Sequence, residues 1–318
     1  MHNHRKENKW NRLAASGLIR GQNDDPMMNV SIYSFKLALW MAAILIASGL
    51  FHLVKLAWDG SDWNGPLSLR KPGLFGISAG LTVLSIAWLM TQLRPLRFDQ
   101  GLAKLIAGSL FVEVGLITGQ YWRGVPSHFN RATFLDATIE NTMLLLILFA
   151  TVSIFYLTLR TICLLPMERA KSIAIRGGMW LLSLSCVLGI LTSVLGDVNV
   201  AAGKPYEIWG RAGVLKFPHG VALHAIQLLP IVAWFVQKLR MTHPARLVRS
   251  ALLSQVFFLL YAIRQTLQGR DRFDWDASGG LILGITCLLG VYPSTMIARA
   301  ITLHLWHQIH KEREEGMT

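Results

Sequence analysis

Long apolar runs alternate with short polar stretches along most of the chain. Eight of these runs are long enough for an α-helix that crosses the hydrocarbon core of a bilayer, which takes about 20 residues. The pattern predicts eight helices, at 35–57, 73–93, 101–120, 134–161, 174–196, 219–239, 247–268 and 278–304. We therefore expect an all-α fold, a polytopic integral membrane helical bundle of about eight transmembrane helices.

The two ends of the chain differ from this apolar part. Residues 1–33 are polar, rich in Asn and basic residues, and lack a clear amphipathic period, which predicts a disordered tail. Residues 34–305 then form the transmembrane domain, and 306–318 form a short tail that continues the last helix. The first apolar run starts too far from the N-terminus, and is too long, for a cleaved signal peptide. We expect it to remain as the first span.

Composition agrees with a membrane-embedded chain. Of the 318 residues, 53% are hydrophobic and 15% are charged, whereas soluble domains carry about 25% charged residues. This composition argues against a soluble globular enzyme and against a nucleic-acid-binding domain. Cys163, Cys186 and Cys287 stand alone in or beside apolar segments, so neither a disulfide framework nor a zinc knuckle is indicated.

The distribution of Lys and Arg predicts the orientation of the bundle. Eight spans place both termini on one side, and 20 of the 31 Lys and Arg residues fall on that side. Because positive residues are retained in the cytoplasm, both termini are expected there, with the first, third, fifth and seventh loops external. The net charge of +13 then faces anionic lipid, which makes the lipid bilayer the expected partner and excludes nucleic acid. The expected location is a plasma membrane, as in a bacterial inner membrane.

Small residues and prolines indicate how the helices pack. Gly76-x-x-x-Gly80 in the second span and Gly280-x-x-x-Gly284 in the eighth have the spacing that allows two helix backbones to approach closely. Pro230 and Pro293 lie inside the sixth and eighth spans, where proline is expected to kink a helix.

Five titratable or charged side chains fall at similar depth inside the predicted spans. At 1.5 Å per residue, each lies roughly 6–10 Å below the external boundary, and such residues are costly in hydrocarbon. They come from five different spans: His52, Glu113, Glu140, His224 and Arg264. We expect one shared interior site open to the external side, with Glu113 and Arg264 coupled as an ion pair. The alternative is a buried network that only locks the helices together.

The segment 120–131, between the third and fourth spans, carries donors, acceptors and one imidazole. His128 is its one group that titrates near neutral pH, which makes His128 a candidate proton gate over the expected site. Asp136 lies one turn from Glu140, so both carboxylates are expected on the same face of the fourth span. The alternative is an ordinary capped loop with polar surface residues.

The first functional hypothesis is a membrane-bound oxidoreductase. A bis-histidine haem b requires two imidazoles from different helices at one depth, and His52 and His224 are the candidate cofactor ligands. The same pair with Glu113 and Glu140 would suit a non-haem metal with nitrogen and oxygen ligands. A site near the external side would admit a quinone, or another small ligand, from that side.

The second hypothesis is a proton-coupled carrier that uses the same intramembrane carboxylates. Asp136, Glu140, Glu113 and His224 would relay protons, and Arg264 would hold an anionic group. Glu113, Glu140, His128 and Arg264 are therefore the candidate catalytic residues. The third hypothesis is a non-catalytic membrane scaffold or sensor whose external loops bind a partner.

Overall fold

The computed structural model describes residues 26–65, 67–163 and 167–315 of the chain. Nine α-helices lie within these ranges: α1 (Pro26–Asp59), α2 (Arg70–Met90), α3 (Asp99–Trp122), α4 (Phe134–Arg160), α5 (Arg169–Ala201), α6 (Lys216–Leu223), α7 (Ala225–Lys238), α8 (Pro244–Leu267) and α9 (Ala277–Glu315). With α6 and α7 taken as one broken span, eight segments are long and apolar enough to cross a membrane. The predicted eight-helix pattern is confirmed, with boundaries within a few residues of those expected.

The helical part of the chain extends beyond the apolar runs at both ends. α1 begins at Pro26, before the apolar run that starts near residue 35. Residues 1–25 of the predicted tail lie outside the described residues. α9 continues to Glu315, beyond the apolar part of the span, whereas residues 316–318 also lie outside the described ranges.

The apolar core has two parts that share two helices, α5 and α7, the latter through Ile226 in the first part and Leu229 in the second. The first part joins α1 to α5 and includes Leu45, Ile86, Val114 and Ile154 among its buried residues. The second part joins α5 to α8 and is built largely from alanine, leucine and valine. α5 contributes to both, because Met179 and Leu182 pack in the first part while Ala170, Ala174 and Leu181 pack in the second.

Glycines bring α1 and α2 into backbone contact. A Cβ atom added at Gly76 would lie 2.8 Å from the main-chain oxygen of Leu45, and one at Gly80 would lie 2.9 Å from that of Ala42. The close approach predicted for this pair is confirmed. The pair in α9 behaves differently, because Gly280 lies under the Trp275 indole and Gly284 faces open space. That motif therefore makes no helix–helix contact at these two glycines.

The sixth span is interrupted between α6 and α7. The break falls at His224, six residues before Pro230. Because Pro230 lacks a main-chain N–H, it cannot donate the usual helical hydrogen bond. α9 runs through Pro293 without such an interruption. The prolines thus have unequal effects on two helices that were both expected to kink.

The first, third, fifth and seventh connections lie at one end of the bundle, the odd-loop end: 60–69, 123–133, 202–215 and 268–276. The opposite end is the tail end. At the odd-loop end a two-stranded hairpin, β1 (Ile208–Trp209) and β2 (Gly213–Val214), docks on the end of α8, where Ala212 N donates to Gly269 O at 2.9 Å. At the tail end Arg160 pairs with Asp99 and so joins α4 to α3.

Candidate functional site

A closed hydrogen-bond network holds the third loop at the odd-loop end. Asp136, in the first turn of α4, accepts from Gln120 Nε2 at 3.0 Å, from Arg123 Nη1 at 3.0 Å and from Thr133 Oγ1 at 2.7 Å. Thr133 is the N-cap of α4 and accepts from the Asp136 N–H in return. The carboxylate of Asp136 thus accepts three hydrogen bonds and its main-chain N–H donates one. These bonds hold the loop between α3 and α4 in place.

Glu140 holds the next part of the same loop. Its Oε1 accepts from the main-chain N–H of Phe129 at 2.8 Å, and Arg131 Nε lies 3.5 Å from its Oε2. Phe129 has a positive φ of 57°, a conformation that is unfavourable for a bulky residue, so this contact stabilises a strained turn. The Phe129 ring then stacks against Tyr206 with centroids 4.7 Å apart, which links the third loop to the fifth.

His128 lies between two aromatic rings and close to a lysine. Its ring packs against Phe75 and Phe129, and its Nδ1 lies 3.1 Å from Ser127 Oγ. Burial lowers the pKa of His128 to about 3, and the charge of Lys71 acts in the same direction. His128 is neutral at physiological pH, so the expectation that it titrates near neutrality as a gate finds no support.

A small cavity lies beneath this loop, between the start of α2 and the end of α3. Its empty volume is about 170 Å³. The lining residues come from the first loop, α2, α3 and the third loop: Ser68, Lys71, Pro72, Ile117, Tyr121, Val125 and Ser127. A cavity was expected under the 120–131 segment, but the histidines expected to face it, His52 and His224, are not among the residues that line this one.

The five intramembrane residues expected to share a site are held in separate surroundings. Within the described ranges, no hydrogen bond or ion pair joins any two of His52, Glu113, Glu140, His224 and Arg264. Equal depth fixes the height of a residue in the bundle, whereas the direction of its side chain around the helix axis depends on packing. No hydrogen bond or ion pair within the described residues therefore joins these five residues into the shared site that was expected.

The two candidate haem ligands differ in exposure and in partners. His52 is buried, its Nδ1 lies 2.6 Å from the main-chain oxygen of Ser48, and its Nε2 accepts from the Trp122 indole at 3.2 Å. His224 is exposed at the break between α6 and α7. Haem coordination needs a free ring nitrogen on each histidine, and both nitrogens of His52 are engaged, so this pair does not fit a shared haem.

His219, five residues before His224, is also engaged within the bundle. Its Nδ1 lies 2.8 Å from the main-chain oxygen of Ser185, and Ser185 Oγ donates to His219 O at 2.9 Å. The part of the chain that the structure describes contains no group of three or more His, Cys, Asp or Glu side chains that could hold a metal ion. The donors for the expected non-haem metal site are therefore not assembled.

Arg264 forms its ion pair with a residue other than Glu113. Its Nη2 donates to Asp276 Oδ2 and to Ser278 Oγ, both at 2.6 Å, and Arg270 binds the same carboxylate at 2.6 Å. The hydrogen bond from Arg264 holds the pKa of Asp276 below its usual value. The predicted ion pair between Glu113 and Arg264 is therefore wrong. The partner of Arg264 is Asp276, in the loop between α8 and α9.

Glu113 is the charged residue left in the interior of the bundle. It is 7% exposed in the middle of α3, and among residues 26–65, 67–163 and 167–315 no side chain forms a hydrogen bond or an ion pair with it. Cys186 of α5 lies within electrostatic range. Thr151 of α4 is also buried and interacts with the Cys186 thiol. Three helices thus contribute polar groups to the first core.

Lys71 lines the cavity but is not among the predicted site residues. A lysine at the start of an apolar run is common at a membrane boundary, so its position in the sequence indicates only the orientation of the bundle. The one available signal was the helix end itself: Arg70 and Lys71 begin α2, and no acidic residue occurs in its first turn. Positive charge is unfavourable at a helix N-terminus.

Together these features define a class: a helical bundle of the multi-pass membrane type. Its described residues include a cavity at the odd-loop end and a buried carboxyl group, Glu113, without a side-chain partner among them. Comparison of the chain with models of protein families, with curated proteins and with solved structures found no match.

Proposed function

We propose that this protein is a proton-coupled carrier of a small solute, with Glu113 as the group that binds the proton. The observation that carries the proposal is the burial of Glu113 in the bundle without a hydrogen-bond or ion-pair partner in the described ranges. An ionisable residue inside a span is costly, and such residues mark ion and proton pathways in membrane proteins.

The position of Glu113 suits a coupling site. At 1.5 Å per residue, Glu113 lies roughly 14 Å along α3 from Trp122 and roughly 21 Å from Asp99, which is close to the middle of the span. Cys186 of α5 lies within electrostatic range of Glu113, and Thr151 of α4 interacts with Cys186. The site therefore lies where relative movement of these helices would change which end of the bundle the carboxyl group faces.

The broken sixth span gives independent support. Discontinuous helices are typical of the binding sites of transporters, because their free main-chain groups lie at mid-membrane depth. At the break, His224 O still accepts from the main-chain N–H of Leu228 at 3.0 Å. With its amide turned towards the break, Gln227 donates to Leu223 O at 3.2 Å and to His224 O at 3.1 Å. In this orientation Gln227 also lies against Thr82 of α2, so the break contacts the other part of the core.

The proposal includes an orientation. The excess of Lys and Arg at the tail end favours cytoplasmic termini and an external odd-loop end, in a plasma membrane of the bacterial inner-membrane type. The oxidoreductase hypothesis ranks second, since His52 and His224 would both have to reorient to share a haem. An absorption spectrum of the purified protein separates the two, because a Soret band would overturn the carrier in favour of the haem protein.

Transport assays in proteoliposomes test the carrier directly. Vesicles that enclose a pH-sensitive dye are exposed to inorganic phosphate, succinate, glycine or glucose, which cover anionic, zwitterionic and neutral solutes. We expect at least one solute to drive proton movement, and Glu113→Gln to abolish that movement while the protein still inserts and folds. The matched control is Glu168→Gln, at an exposed carboxylate before α5. Proton movement that survives in Glu113→Gln would overturn the assignment.

A further inference from the structure

The cavity at the odd-loop end has the lining of a site for a small anion. Lys71 is the charged member of its lining, and Ser68, Tyr121 and Ser127 add hydroxyl groups. The empty volume of about 170 Å³ includes open space at the mouth of the cavity, so the enclosed part is smaller still. The dimensions and the donors suit a ligand of a few heavy atoms.

The ammonium group of Lys71 has no partner within the part of the chain that the structure describes. The two carboxylates near it, Glu140 and Glu207, are each engaged by another cation. Lys216 Nζ lies 2.5 Å from Glu207 Oε2, and Arg131 lies 3.5 Å from Glu140. Burial alone would raise the pKa of Glu207, but the hydrogen bond from Lys216 and its charge hold it below the usual value. Lys71 is the cation left over.

The charges near Lys71 do not balance. Arg70 lies beside Lys71, and its guanidinium group stacks over the Trp63 ring at 5.7 Å. Two further cations, Arg70 and Lys216, and two anions, Glu140 and Glu207, act electrostatically on Lys71. Among the described residues, three cations therefore face two anions, and the N-terminus of α2 adds partial positive charge. A partly buried ammonium group without a counter-ion is costly, and an anion bound in the cavity would offset that cost.

We propose that Lys71, Ser127 and Tyr121 bind a small oxyanion, a carboxylate or phosphate group, in the cavity beneath the third loop. This inference rests on the proposed carrier function and names its substrate class. Lys71 supplies the charge, and the hydroxyls supply hydrogen-bond donors.

His128 sets the direction of one donor. In the neutral ring, the tautomer with hydrogen on Nδ1 donates to Ser127 Oγ across their 3.1 Å separation. The Ser127 hydroxyl hydrogen is then free to point at the anion. With the other tautomer, Ser127 would donate to His128 and present lone pairs to the anion. The bound state therefore selects the Nδ1–H tautomer, and His128 is a positioning residue.

Thermal unfolding of the purified, delipidated protein tests the site. We expect inorganic phosphate or acetate to raise Tm by a few degrees in a saturable manner, whereas chloride at equal ionic strength has no such effect. In Lys71→Met the starting Tm is higher, because the unpaired charge is gone, and the anion-dependent rise is lost. Lys204→Met removes an exposed lysine at the same end and keeps the full response. Ser127→Ala and Tyr121→Phe each weaken binding several-fold.

The anion could come from solution or from a lipid headgroup, and two arms separate these sources. A Lys71-dependent rise with phosphate or acetate assigns a soluble anion, whereas a rise only with a short-chain phosphatidic acid, and not with the matching phosphatidylcholine, assigns a lipid headgroup. No Lys71-dependent response in either arm overturns the proposal. Anion binding at equilibrium is expected to persist in Glu113→Gln, so its loss and the loss of proton coupling are distinguishable.

Discussion

The indole N–H of Trp122 donates a hydrogen bond to Nε2 of His52 across 3.2 Å. Because Nδ1 of the same ring lies 2.6 Å from Ser48 O, where it can only donate, His52 is a neutral imidazole with a fixed tautomer. The contact joins the C-terminal parts of α1 and α3. Trp122 thus holds His52 in place as a structural side chain.

Substitution of Gly49 is expected to separate α1 from α2. A Cβ atom at this position would lie 2.6 Å from Gly73 O and 2.7 Å from Ile77 N. These are main-chain atoms that cannot rotate away. We expect Gly49→Ala to lower the free energy of unfolding by about 1–3 kcal/mol, measured by thermal or denaturant unfolding in detergent. Gly108→Ala, at a helical glycine with open space around it, is the control and should leave stability unchanged or slightly higher. Equal losses would contradict the packing argument.

Asp136 and Arg123 form an ion pair, but we expect their removal to lower the free energy of unfolding by different amounts. Asp136 is 3% exposed and has three side-chain donors, whereas the Arg123 side chain is 40% exposed. Removal of Asp136 leaves buried donors unpaired, so Asp136→Ala should cost about 3 kcal/mol. Arg123→Ala should cost about 1 kcal/mol or less, since Gln120 and Thr133 still bind the carboxylate. Unfolding of the two single variants and the double variant checks this, and an Arg123 loss as large as that of Asp136 would contradict it.

The low pKa of His128 makes stability depend on pH below neutrality. Its folded-state pKa of about 3 lies below the unfolded value of about 6.5, so the unfolded chain binds the extra proton between these values. The stabilisation is present above about pH 6.5 and is lost as the pH falls towards 3. Between pH 7 and pH 5, His128 should account for a loss of about 2 kcal/mol.

Tm measured at pH 7 and pH 5 checks this prediction. His128→Gln should flatten that part of the profile, whereas His304→Gln, an exposed histidine near the tail end, should leave it unchanged. An unaltered profile in His128→Gln would show that the imidazole titrates freely.

Cysteine labelling checks the proposed orientation. In a background without the native cysteines, Lys204→Cys places a thiol in the exposed fifth loop at the odd-loop end. A membrane-impermeant maleimide should label it in intact cells. A chain that keeps only native Cys163, exposed near the tail end, should be labelled only after the membrane is permeabilised. The reverse pattern would invert the bundle and make the Lys71 cavity cytoplasmic.

Hydropathy predicted the helices well because membrane insertion depends on a property that is summed along a segment. The close approach at Gly76 and Gly80 was predictable for a related reason, since small residues at this spacing permit helix contact in most surroundings. The sixth span is interrupted at His224 and not at Pro230. The position of the interruption could therefore not be predicted from the proline alone.

The side-chain networks could not be predicted from depth alone. Glu140 binds the strained main chain at Phe129, and Arg264 binds Asp276. Both partners lie in loops, whose course is set by tertiary contacts and not by hydropathy. Lys71 was not predicted for the same reason. A lysine at a helix start is typical of a membrane boundary, and its place in a cavity depends on the first and third loops.

The peripheral position of α9 has a consequence for how the protein is made. Only 6% of its apolar window is buried inside the bundle, and it packs chiefly against α8, where Ser250 Oγ and Ser254 Oγ donate to Leu289 O and Thr286 O at 2.7 and 2.8 Å. α9 follows the other described helices in the chain and is therefore synthesised after them. Because α9 contributes no fully buried residue to either part of the core, we expect those parts to close before α9 has entered the lipid. The hydroxyl groups of Ser250 and Ser254 then position α9 against α8.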